Sequence, residues 1–189
     1  MRYEKILFLF IFIFLASCGE KIETNMSEPI TDFEFTTQDE EMLSSESLKG
    51  DWWIANFMYT NCRAICPRTT ANMADVQKQL KMNGYNPHIV SFSVEPSHDT
   101  PGILKEYARQ HNADLESWDF LTGYDFETIK EISENTFNSV LEEGAVGQRA
   151  HGINFYLVNP NGIIVKEYNG MGPDELDMLI DDLKTVLES

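Results

Sequence analysis

Residues 52–59 read WWIANFMY, an apolar run interrupted only by Asn56. A run without polar alternation fits a strand buried on both faces, and such a strand needs helices above and below its sheet. The loop Thr60-Asn61-Cys62-Arg63-Ala64-Ile65-Cys66 follows, and then Pro67. Proline disfavours the helical region for the residue before it and suits a first helical turn. The pattern therefore predicts a helix over 67–83, with Gly84 as its stop and Thr69, Met73, Val76 and Leu80 on its buried face. A two-cysteine loop thus lies between a central strand and a helix N-terminus.

The remaining segments alternate in the same way. Residues 33–36 read as an early strand, 89–94 as a second buried strand and 101–110 as a helix capped by Thr100. A short strand is expected at 118–121 and a third helix at 126–141. Asn159-Pro160-Asn161-Gly162 is a hairpin turn between strands at 154–158 and 163–168. Leu176, Leu179, Ile180, Leu183 and Leu187 form one face of a closing helix over 173–187. The expected fold class is α/β, a sandwich with a central mixed sheet flanked by helices. A chain of 189 residues has room for one such domain and its core. The placing of the cysteine pair resembles that in thioredoxin-like proteins.

Arg2 and Lys5, the apolar run 6–15 and then Leu15-Ala16-Ser17-Cys18 read as a lipoprotein signal. The run is ten residues, too short to span a bilayer. The expected organisation is a signal peptide at 1–17, a lipidated Cys18 with a flexible tether over 18–29, and the domain over 30–189. Two acyl chains on Cys18 would anchor the mature chain to the extracytoplasmic face of the cell membrane. The formal net charge of −17 argues against nucleic-acid binding and against a polybasic grip on lipid.

Lipidation uses one of three cysteines and leaves Cys62 and Cys66. Their disulfide would close too small a loop to stabilise the fold much, so the pair reads as functional. A helix N-terminus favours thiolate, and two thiolates are soft donors suited to Cu(I). Of four histidines, His151 is placed to be a third donor, just before the strand at 154. The proline that thioredoxins carry in cis opposite their cysteines has no counterpart between 145 and 158. His88, His98 and His111 read as structural, and the eight methionines as filler rather than ligands.

The segments Phe57-Met58-Tyr59-Thr60-Asn61-Cys62-Arg63-Ala64-Ile65-Cys66-Pro67, Ser91-Phe92-Ser93-Val94-Glu95-Pro96, Asp99-Thr100-Pro101 and Trp118-Asp119-Phe120-Leu121-Thr122-Gly123, with His151 and Phe155-Tyr156-Leu157-Val158, resemble the Sco/SenC family of copper chaperones, especially its lipid-anchored Gram-positive members. The resemblance covers about residues 30 to 189. It implies a thioredoxin-like domain that binds copper through Cys62, Cys66 and His151 and helps assemble the binuclear copper centre of cytochrome c oxidase subunit II. Copper as Cu(I) or Cu(II) is the implied cofactor, subunit II and the membrane are the implied partners, and a monomer is the expected working unit. An alternative within the family is a thiol-disulfide oxidoreductase that reduces the cysteines of that subunit through Cys62 and Cys66. A peroxidase reading fares worse, because Tyr59 stands where such enzymes usually have threonine. Two departures stand out. Arg63 and Ala64 lie between the cysteines where the family often has an acidic residue, and Arg63 is expected to lower thiol pKa. Glu95 replaces a frequent aspartate, and no catalytic role is assigned to it.

Overall fold

A computed structural model describes residues 22–143 and 149–188. The expected signal peptide and Cys18 lie outside the described residues. Strand β4 (Trp53–Met58), the apolar run, is buried along its whole length. Its side chains alternate between two cores. Ile54 and Met58 join one, and Trp53, Ala55, Phe57 and Tyr59 join the other. Fully burying each such aliphatic side chain contributes about 1.5–3 kcal/mol. Asn56 is the polar exception, and its carbonyl oxygen accepts from Ser91 Oγ at 2.6 Å.

The main sheet has six strands: β1 (Glu28–Pro29), β10 (Ile163–Asn169), β9 (Asn154–Val158), β4, β5 (His88–Ser93) and β6 (Trp118–Leu121), in that spatial order. β4 is parallel to β5 and antiparallel to β9, so the sheet is mixed. Helices α1 (Cys66–Met82), α2 (Pro101–Gln110) and α4 (Pro173–Leu187) supply buried residues to the core of Ile54 and Met58. Helix α3 (Phe126–Asn135) and the hairpin of β2 (Glu34–Thr36) and β3 (Met42–Ser44) pack on the other core. Short strands β7 (Glu142–Glu143) and β8 (Arg149–Ala150) pair just before His151. The turn between β9 and β10 forms as expected, with Asn159 Oδ1 accepting from the amides of Asn161 and Ile163.

Three boundaries differ from expectation. α1 starts at Cys66, one residue before Pro67. The Cys66 N–H, which has no carbonyl earlier in the helix to bond, donates to Cys62 Sγ at 3.4 Å. α3 ends at Asn135 rather than 141. Asn138 takes a left-handed turn (φ 50°), and Ser133 and Ser139 bond each other's loop, which folds Phe137 and Leu141 into the core. The expected tether is also too long. Residues 22–29 lie along the sheet edge, with Glu28–Pro29 paired to Ile163 and Ile164 and Ile22 buried in the core.

Candidate metal centre

The end of the sheet where β4 stops and β9 starts gathers the three residues singled out from the sequence. Tyr59 ends the buried run, and its carbonyl accepts from the amide of Cys62 at 3.3 Å. That turn points Cys62 back toward the first turn of α1, where Cys66 is fully buried. His151 arrives from the far side, directly after β8. Its Nε2 lies 3.4 Å from Cys66 Sγ. Its Nδ1–H donates to the Gly152 carbonyl at 2.7 Å, so Nε2 is the nitrogen turned toward the sulfurs. Both cysteines are free thiols.

The two sulfurs are electronically unlike. Burial pushes the Cys62 thiol up, but hydrogen bonding from His151 and from the amides of Cys66 and Ala64 outweighs burial and brings it down to about 5. Burial pushes the Cys66 thiol well above the ordinary range, and its hydrogen bond to Cys62 adds to the effect. The site thus biases Cys62 toward thiolate and Cys66 toward the protonated thiol. Arg63 is exposed at the rim, and the lowering at Cys62 comes from His151 and the amides rather than from Arg63.

Among the described residues no trio of His, Cys, Asp or Glu already stands as an ion cage. The three donors are instead gathered by hydrogen bonds. Even so, the 3.4 Å between Cys66 Sγ and His151 Nε2 is close to the spacing of two ligands on one ion. Ligand bonds of about 2.0–2.3 Å at a tetrahedral angle put two donors roughly 3.5 Å apart. Two sulfurs and an imidazole fit a soft ion, which displaces the protons these donors share.

The surrounding residues were not read as functional from the sequence. A cavity of about 580 Å³ is lined by Cys62, His151, Tyr59, Asn61, Arg149 and Glu95, among others. Glu95 accepts from Asn61 Nδ2 at 2.9 Å and so borders the mouth. The Tyr59 ring packs edge-on against His151, with centroids 5.6 Å apart. Asp99 is fully buried and accepts from Thr60 Oγ1 at 2.5 Å, Ser93 Oγ at 2.5 Å and the Thr60 amide. It thereby fixes the backbone two residues before Cys62. The Asp99-Thr100-Pro101 segment was visible in the sequence, but nothing local there pointed to Thr60.

The other histidines lie elsewhere. His88 Nε2 is 2.9 Å from Asp119 Oδ2, His111 stacks on Tyr107, and His98 is exposed. Met58 and Met73 are core residues, and Met82 and Met178 are exposed.

Residues 22–188 match the sequence pattern described as SCO1/SenC. The chain belongs to the SCO1/SenC family. It is 41% identical over 178 residues to the SCO1 protein homolog of Bacillus subtilis, covering 93% of this chain and 92% of that one. The structure of BsSco superposes with a TM-score of 0.80 at 40% identity, over 87% of this chain and 96% of the other. BsSco is described as a member of the Sco family of cytochrome c oxidase assembly proteins, with a disulfide switch. The copper-bound ScoI of Arabidopsis thaliana matches with a TM-score of 0.71 at 26% identity, over 84% of this chain and 98% of that chain. The thioredoxin-like build expected from the strand and helix order is the build of these Sco structures.

Proposed function

We propose that this chain is a copper metallochaperone for cytochrome c oxidase, anchored through a lipid on Cys18 to the extracytoplasmic face of the membrane. Copper is its cargo, held by Cys62 Sγ, Cys66 Sγ and His151 Nε2 and passed to the binuclear centre of subunit II. The observation that carries this reading is the convergence of two thiols with an imidazole nitrogen whose other nitrogen is already committed to Gly152. A ring fixed in that way keeps Nε2 facing the sulfurs, and the proton shared between the imidazole and the sulfurs leaves when an ion binds. The copper-bound ScoI and the assembly role described for BsSco support the same choice of ion and client. Cys66 releases its proton when copper binds, so affinity rises with pH.

The test is titration of Cu(I) and Cu(II) into the reduced protein, with Cys62, Cys66 and His151 replaced singly by alanine. One copper per chain is expected, with weaker binding in each variant. A His151→Ala protein that held copper as tightly as the parent would refute the three-ligand site.

The contrast between the thiols also favours a second reading, as a thiol-disulfide oxidoreductase. Cys62 thiolate would attack a client disulfide, forming a mixed disulfide and releasing one client thiolate. Cys66 would then lose its proton and displace the second client thiolate, leaving Cys62–Cys66 oxidised by two electrons. The assay is reduction of an oxidised subunit II peptide with copper chelated. No reduction under those conditions eliminates this activity.

A further inference from the structure

The N-terminal strap fixes which end of the domain is nearest the lipid. Glu28 and Pro29 pair antiparallel with Ile164 and Ile163. The contact with β10 continues upstream, where the amides of Asn25 and Met26 both donate to the Val165 carbonyl at 3.1 Å. Asn25 Oδ1 accepts from the Glu167 amide at 2.9 Å, and its Nδ2 donates to the Glu167 carbonyl at 3.2 Å. Moving backward along the chain therefore means moving toward Asn169, the last residue of β10. Asn169 pairs with Asn154, the first residue of β9, and His151 stands three residues before Asn154. The strap thus leads away from the turn at 159–162 and toward the end of the sheet that holds Cys62, Cys66 and His151. Ile22 is 9% exposed and pinned in the core. Only three residues separate it from Cys18. The four steps of extended chain from Cys18 to Ile22 reach at most about 14 Å.

We propose that the Cys62/Cys66/His151 end of the domain is its membrane-facing end, so that the site works close to the lipid headgroups. This rests on the reading of Cys18 as the lipidated residue. A twelve-residue flexible tether would let the domain tumble and present any face. A three-residue link to a buried isoleucine keeps the opposite end farthest from lipid. That opposite end carries the β9–β10 turn and the C-terminus of α1. Residues 68 and 82 lie fourteen positions apart on α1, or about 21 Å along its axis.

The experiment uses the full lipoprotein in phospholipid vesicles carrying a headgroup quencher. A fluorophore is attached through a non-natural amino acid at Arg68 or at Met82, both exposed, so that the cysteines stay untouched. The expected result is loss of emission at 68 and little loss at 82, with the difference abolished by a long Gly/Ser insertion between Gly19 and Glu20. Equal quenching at the two positions, or stronger quenching at 82, overturns the orientation. The mass of the N-terminal peptide is measured on the same sample. A Cys18 without lipid overturns the anchoring reading and the orientation with it, whereas a lipidated Cys18 with equal quenching overturns the orientation alone.

Discussion

Replacing His151 by alanine should change the pH at which Cys62 becomes reactive. In the metal-free parent, hydrogen bonding from His151 and nearby amides brings the Cys62 thiol to about 5. An ordinary cysteine near 8.5 is only about 3% thiolate at pH 7, so Cys62 gains roughly thirtyfold in thiolate. Nucleophilicity falls with thiol pKa, however, and a drop of about 3.5 units costs about 25- to 60-fold at a Brønsted slope of 0.4–0.5. The two effects nearly cancel. Alkylation at pH 7 should therefore run at a rate close to that of a free thiol, and rate alone would hide the effect. The midpoint of the pH profile does not cancel. Iodoacetamide labelling of chelator-treated protein, with each cysteine quantified by mass spectrometry, should give a Cys62 profile centred near 5 and a Cys66 that labels only in alkali. His151→Ala should move the Cys62 midpoint upward. A parent midpoint near 8.5, or one unmoved by the substitution, would refute the reasoning. The same shift has a sign for stability. The folded Cys62 pKa is lowered, so its ionisation favours the fold above the unfolded value and that contribution is lost as pH falls toward 5.

Three further substitutions test the frame. Asp99→Ala leaves Thr60 and Ser93 without their buried acceptor and should cost about 1–3 kcal/mol in urea unfolding. Phe137→Ala empties a site packed edge-on against Phe57 and Tyr156 and should cost about 3–5 kcal/mol by the same measurement. Gly170→Ala would put a Cβ 2.4 Å from the Ile153 carbonyl oxygen, two residues from His151. It should cost about 1–3 kcal/mol, and copper titration should show weaker binding, because the histidine loop must shift.

What was legible in the sequence was local and periodic. The apolar run of β4, the Asn-Pro-Asn-Gly turn and the stripe of α4 each carry their own signal within a dozen residues. The convergence of Cys62, Cys66 and His151 was legible because cysteine, histidine and proline are chemically distinctive residue types. Contacts between distant polar residues were not legible. Asp99 reaches Thr60 across 39 positions, and Asn25 reaches Glu167 across 142. Residues 22–29 have no alternation and few apolar groups, so only the free edge of β10 gives them a place to pair. The end of α3 was misplaced for a related reason. Phe137 and Leu141 look like a continued helical face, but they reach the core through a turn at Asn138.

The pairing of β9 with β4 also has a kinetic side. Cys62 and Cys66 belong to one loop, while His151 is 85 residues beyond Cys66. In the unfolded chain the thiols are already neighbours, but the imidazole must wait for a long loop to close against the central strand. A nascent chain therefore brings together only the two sulfurs, and the assembled sheet adds the imidazole. Copper held through all three donors would therefore report that the last strands have docked.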